Sequence, residues 1–260
     1  MSKIKIGLSM LFCLGEGFPL MLKHLEELDT HCVELVDDGL HKLDDKRVAT
    51  LNHMAGTFNI EYAVHAPMAD TNIAASDRNL RRFIIKRLEK SMQYAHQLDC
   101  LSWIFHPGFH SGISSFYPGW DWQINLESVK TLSALGRKYN VKIAIENIPE
   151  IFPALLRSVD DFSRFYEEIG IDIGLALDVG HANVNGQTKE FMNKFGDKIV
   201  HMHVSDNDGK QDSHLGIGKG TVDWQDFVKS VRRMQFGGVV MVESIQDVRQ
   251  SLQTLREALG

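Results

Sequence analysis

Short apolar, β-branched runs recur along the chain, each followed by a polar turn and then by a stretch of helical periodicity. The runs extend from Lys5 to Met10, Cys32 to Val36, Ile60 to His65, Leu101 to His106, Val141 to Glu146, Ile173 to Asp178, Ile199 to Val204 and Val239 to Glu243. Runs of this length and composition read as strands. Between them, Leu80, Phe83, Ile84, Leu88 and Met92 keep the spacing of one helix face. Ser158 and Asp161 carry the start signal of another helix, and Asp223 can cap the one bearing Phe227, Val228 and Val231. Eight strand–helix units in 260 residues predict an α/β fold, a (β/α)8 TIM barrel forming a single domain over residues 1–260. A doubly wound open sheet has the same periodicity and is the rival architecture.

Where the strands stop is more informative than where they run. Six of the eight runs close on a potential metal ligand: His65, His106, Glu146, Asp178, His203 and Glu243. In a barrel these positions converge at the C-terminal mouth, where active sites of this fold are assembled from several strands. His106 directly precedes Pro107, which biases it to extended geometry. Three more candidates, His181, Asp212 and His214, lie just beyond strands. Imidazoles and carboxylates without thiolates suit Zn, Mn, Fe or Co, so the expected cofactors are divalent metal ions.

Taken one at a time, these residues have plainer readings. A strand-end histidine is more often hydrogen-bonded than ligating, and Asp178 alone would serve equally well as a helix cap. The coincidence of three acids with three histidines at one mouth carries the argument, because a buried carboxylate is costly unless paired or metal-bound. His201 alternates with His203 and should point into the barrel one layer below, as a core histidine. Leu215 to Gly220 lacks the spacing of a phosphate loop and reads as a flexible turn carrying His214. Arg78, Arg81 and Arg82 could meet a phosphate but read first as a solvated helix face.

Composition narrows the function class. With 43% hydrophobic and 24% charged residues the chain is an ordinary globular sequence, and its net charge of -6 supplies no global basic field to gather nucleic acid. The balance points to small substrates. Cys13, Cys32 and Cys100 form no CxxC pair and are expected as buried core thiols. Lys3 and Lys5 precede an apolar stretch from Ile6 to Leu14, but no small-residue cleavage site follows and Gly15 to Gly17 interrupts it. A cytoplasmic protein without a membrane segment is expected.

The motifs resemble the xylose isomerase-like TIM-barrel superfamily, which includes endonuclease IV and sugar or sugar-phosphate isomerases and epimerases. The resemblance is carried by His65-Ala-Pro, Phe105-His-Pro-Gly-Phe-His110, Ile145-Glu-Asn147, Leu177-Asp-Val-Gly-His-Ala-Asn183, His201-Met-His-Val-Ser-Asp206, Asp212-Ser-His-Leu-Gly-Ile-Gly218 and Val242-Glu243. It implies one to three metals per chain. Resemblance to endonuclease IV implies His65, His106 and Glu146 for one ion, Glu146, Asp178, His203 and Glu243 for a second, and His181, Asp212 and His214 for a third. Resemblance to the isomerases implies only the middle set, with Glu146 and Glu243 as the catalytic pair moving a proton on a ketose or sugar phosphate. The segment Ile148 to Pro153 and the 19 residues between Asn183 and His203 depart from the endonuclease pattern. A small sugar is therefore the expected partner, with DNA the partner under the alternative.

Overall fold

The computed structural model describes residues 4–28 and 30–260. Its strands are β1 (Lys5–Ser9), β2 (Cys32–Val36), β3 (Glu61–His65), β4 (Trp103–Phe105), β5 (Ile143–Glu146), β6 (Gly174–Asp178), β7 (Ile199–Val204) and β8 (Val239–Val242). They are parallel and close in chain order, with Lys5 of β1 opposite Val239 of β8 and Leu8 opposite Val242. Closure excludes the doubly wound alternative. The α-helices among the described residues are α1 (Phe18–Glu27), α2 (Asp45–Phe58), α3 (Arg78–Gln97), α4 (Trp120–Tyr139), α5 (Val159–Ile169), α6 (Val179–Val184), α7 (Thr188–Lys194), α8 (Trp224–Arg233) and α9 (Val248–Leu259). The chain is a single TIM-barrel domain.

Alternation along the strands builds two cores. Outward residues such as Trp103, Phe105, Ile145, Leu177, Met202 and Val240 pack in the large apolar layer shared with the helices. Inward residues Cys32, Ala63, Ile104, Ala144, Ala176 and Met241 form a separate small cluster inside the barrel. They are mostly small because an eight-stranded barrel has room only for its own side chains. Gly7 shows how tight the fit is: a Cβ there would lie 2.4 Å from the Cys32 carbonyl oxygen and 2.7 Å from Met241 Sδ. Two residues further along each strand the inward positions turn polar. His65 follows Ala63, Glu146 follows Ala144, Asp178 follows Ala176 and Glu243 follows Met241, so a ring of donors sits directly above this mostly apolar layer.

Local signals mostly become the expected elements. Ser158 Oγ accepts from Asp161 N at 3.1 Å while Asp161 returns the bond to Ser158 N at 3.0 Å, a reciprocal cap that starts α5. Asp223 caps α8 through Asp226 N. Two expectations need correction. Met10 does not extend β1; it opens a 3-10 turn, Met10–Cys13, that begins when Ser9 Oγ accepts from Leu11 N. Leu80 and Phe83 are 53% and 71% exposed, because the buried stripe of α3 runs instead through Ile84, Leu88, Ser91, Met92 and Ala95. Cys13 and Cys32 are buried and Cys100 is half-buried against the core.

The apolar stretch after Lys5 is thus β1 and its following turn, and Lys3 lies outside the described residues. No helix among the described residues is long and apolar enough to cross a membrane.

Candidate metal centre

Glu146, at the end of β5, is the hub of the mouth. Its Oε2 lies 3.2 Å from His65 Nε2 and 3.1 Å from His106 Nε2, and its Oε1 lies 3.0 Å from His203 Nδ1. His203 Nδ1 is also 3.7 Å from Glu243 Oε2 and 4.0 Å from Asp178 Oδ2. One nitrogen thereby faces carboxylates from the ends of β5, β6 and β8. All four of these residues are buried.

A second cluster lies beside the first. Asp212 Oδ2 sits 3.1 Å from both His181 Nε2 and His214 Nε2. The two rings are oriented from behind: His181 Nδ1 is 2.7 Å from the Asn147 carbonyl and His214 Nδ1 is 3.1 Å from the Glu243 carbonyl. His65 Nδ1 is held in the same way, 2.9 Å from the Ala66 carbonyl. Because each ring can donate its outer N–H to a carbonyl, the inner nitrogen of the neutral ring is the one free to face a cation. All nine residues singled out in the sequence therefore meet at one end of the barrel, in three groups: His65, His106 and Glu146; Glu146, Asp178, His203 and Glu243; His181, Asp212 and His214.

The electrostatics separate the acids. Burial alone would raise Glu146, but the charges of His203 and His106 and the hydrogen bonds from both hold it well below the usual carboxylate range. Burial pushes Glu243 up to about 7, His203 opposing and the charges of Glu34, Glu146 and Asp178 adding. Among the imidazoles, burial works against protonation of His65, His181 and His214. The facing carboxylates outweigh it and carry them to about 9, 10 and 9. The carboxylates thus favour positive charge at the nitrogens.

Some contributors were not visible as candidates in the sequence. Glu34 of β2 is fully buried and places Oε2 3.0 Å from His203 Nε2. Its signal was a lone acid within the apolar run Cys32 to Val36. Asn147 clamps the end of β6, donating to the Asp178 carbonyl at 3.0 Å and accepting from Asp178 N at 2.7 Å. Asp206 organises the glycine-rich segment after β7. Its carboxylate accepts from Asn207 N, Gly218 N, Val222 N and Trp224 Nε1. The expectation of a flexible turn from Leu215 to Gly220 is corrected accordingly: Asp206 and Leu215 also pair through their backbones, so the segment is tied down.

His201 does point into the barrel below His203, bonded to Ser102 at 2.9 Å. Arg81 donates to the Ala75 carbonyl, while Arg78 and Arg82 are exposed on α3.

The donors fit a divalent ion on two observations. Ligands about 2.1 Å from a tetrahedral zinc lie about 3.4 Å from one another, and the His203 Nδ1 contacts of 3.0, 3.7 and 4.0 Å span that value. In addition, Asp178 Oδ2 and Asp212 Oδ1 are buried with no hydrogen-bond partner, which is costly for a carboxylate unless a cation faces it.

A family model described as a xylose isomerase-like TIM barrel matches residues 22–259. The chain belongs to the xylose isomerase-like TIM-barrel family. An uncharacterized protein of Methanocaldococcus jannaschii is 28% identical to this family member over 262 residues, covering 98% of this chain and 89% of its own. A crystal structure described as a D-tagatose 3-epimerase-like protein superposes with a TM-score of 0.91 at 26% identity, covering 98% of this chain and 97% of that one. A probable endonuclease 4 of Aquifex aeolicus is 26% identical over 184 residues, 63% of each chain.

Proposed function

We propose that this protein is a divalent-metal-dependent epimerase or isomerase acting on a ketose or sugar phosphate. The observation that carries this reading is the placement of two carboxylates at one centre, Glu146 at 3.0 Å and Glu243 at 3.7 Å from the same His203 nitrogen. Without metal, Glu146 is held ionised while burial pushes Glu243 up to about 7. Two acids whose environments drive their proton affinities apart suit the two ends of a proton transfer. They stand at the ends of β5 and β8 with β6 and β7 between them, so they approach a guest from different sides.

Glu146, Asp178, His203 and Glu243 would hold the ion, with Zn, Mn, Fe or Co matching their donor atoms. A divalent ion there would supply Lewis acidity to a ketose carbonyl, making the neighbouring C–H more acidic. Glu243 takes or returns that carbon-bound proton at a carboxylate oxygen, and Glu146 serves the opposite face. Asp178, fixed by Asn147 and by its cap on α6, orients the centre without moving a proton. The near-complete mutual coverage with the D-tagatose 3-epimerase-like structure supports a sugar as substrate.

A second reading is supported by the outer clusters. His65, His106 and Glu146 on one side, with His181, Asp212 and His214 on the other, offer two further donor sets, and the likeness to a probable endonuclease 4 points the same way. A site with several metals suits phosphoester hydrolysis.

Proton chemistry at carbon separates the two. Ketoses and ketose phosphates incubated with metal-loaded protein in deuterium oxide should gain deuterium beside the carbonyl, and Glu243→Gln should abolish the exchange. Metal-dependent cleavage of a duplex containing an abasic site, with no exchange across a broad ketose panel, would overturn the epimerase reading in favour of the hydrolase.

A further inference from the structure

We infer that Glu34 is a positioning residue: with His201 and Ser102 behind it, it fixes the His203 ring so that an unprotonated Nδ1 faces Glu146, Asp178 and Glu243. The inference rests on the proposed function only in taking that centre to hold a divalent ion.

Glu34 lies mid-strand in β2, between Val33 and Leu35, whose side chains belong to the outer apolar layer. Alternation therefore turns Glu34 into the barrel, where it is fully buried. Two imidazoles meet it there. Its Oε2 is 3.0 Å from His203 Nε2 and 3.2 Å from His201 Nε2. Among the described residues it has no ion pair with lysine or arginine. A fully buried carboxylate at a level where the other strands bring mostly alanine and isoleucine, and where a leucine or methionine would pack without a charge to bury, calls for a purpose beyond filling space.

The hydrogen-bond inventory of His203 supplies that purpose. The ring touches carboxylates through both nitrogens, Nε2 on Glu34 and Nδ1 on Glu146 at 3.0 Å. A neutral imidazole has one N–H to give. Glu34 can accept that proton and has none to donate when ionised, so it selects the tautomer protonated at Nε2 and leaves the Nδ1 lone pair toward the centre. Glu146 could accept an N–H from the other side, but a cation bound among the carboxylates would need the lone pair there. A carboxylate behind a ligating histidine also raises the basicity of the ligand nitrogen.

His201, itself held by Ser102, stands beside Glu34. Ser102 Oγ is 2.9 Å from His201 Nδ1 and fixes that ring, whose Nε2 lies 3.2 Å from Glu34 Oε2 without hydrogen-bond geometry, an electrostatic neighbour of the carboxylate. The arrangement runs from Ser102, just before β4, through β7 to β2 and back to β7, across the inside of the barrel. This gives His201 a connection that a simple core histidine lacks.

The test uses the full chain loaded with zinc and, separately, with cobalt(II). Long-range 15N–1H correlation of the wild-type zinc form should show His203 protonated at Nε2 and not at Nδ1. Glu34→Gln keeps the shape but loses the charge; zinc affinity, measured by competition with a chromophoric chelator, should fall roughly 10- to 100-fold. The visible spectrum of the cobalt form should change with it. A wild-type zinc form protonated at Nδ1 would overturn the inference even if Glu34→Gln fails to fold. So would a folded Glu34→Gln with unchanged zinc affinity and cobalt spectrum, while the metal reading itself stands. Wild-type protein that takes up neither metal would instead remove the centre, and the inference with it.

Discussion

Asp178 shows how one side chain serves two ends. Its Oδ1 accepts from His181 N at 2.6 Å and caps α6, while its Oδ2 is buried with no donor. From the sequence, cap and ligand were alternatives; the carboxylate has an oxygen for each. Asparagine caps helices about as well as aspartate, so Asp178→Asn should leave the circular dichroism spectrum unchanged and lower metal affinity by at least about 10-fold, the loss expected when support for a metal site is removed. Equilibrium dialysis with zinc checks this. Unchanged affinity would make Asp178 a cap only. Glu34 was illegible for the opposite reason. A single acid between Val33 and Leu35 looks like an interruption of a strand, and only closure of the barrel reveals that its partners come from β7, 169 positions away in the case of His203.

At the level of elements, the strands were legible because their apolar runs have few other uses, and the donors were legible because they break those runs at one end. Their exact limits were not. β4 keeps only Trp103 to Phe105 of the run that began at Leu101, and His106 and Glu243 stand one residue past their strands. Loops were the least readable, since their order depends on partners distant in sequence. The segment carrying His214 looks loose from its glycines, yet Gly220 is there because a Cβ would lie 2.1 Å from the Asn207 carbonyl oxygen and 2.4 Å from Asp206 Oδ1. Gly220→Ala should therefore cost about 1–3 kcal/mol, the usual range for overpacking, and weaken metal uptake by displacing Asp212 and His214. Gly112→Ala, with open space around the new Cβ, is the control. Equal melting temperatures and metal contents for the two variants would show that the Asp206 anchor does not hold the loop.

For the whole molecule, the crowding of imidazoles and carboxylates links folding to pH. Without metal, His65, His181 and His214 sit at about 9, 10 and 9, against about 6.5 when exposed in the unfolded chain. A raised value in the folded state means stability that is fully present below pH 6.5 and lost as pH climbs through the folded values of 9 to 10. Chelator-treated protein should accordingly melt at progressively lower temperature from pH 6.5 to 10. Metal-loaded protein should lack that decline, because the ion takes the place of the protons. Parallel pH profiles for the two forms would contradict this.

The proposed function requires that the carboxylates and imidazoles at the mouth of the barrel bind a divalent ion around which Glu146 and Glu243 work. Anomalous diffraction from crystals of the protein purified without a metal-affinity tag, recorded on both sides of the absorption edge of the metal found by elemental analysis, tests it most directly. A peak enclosed by Glu146, Asp178, His203 and Glu243 is expected, with any further peaks at the two flanking histidine clusters. Crystals grown with the metal in excess that show no peak within that set of four would contradict it.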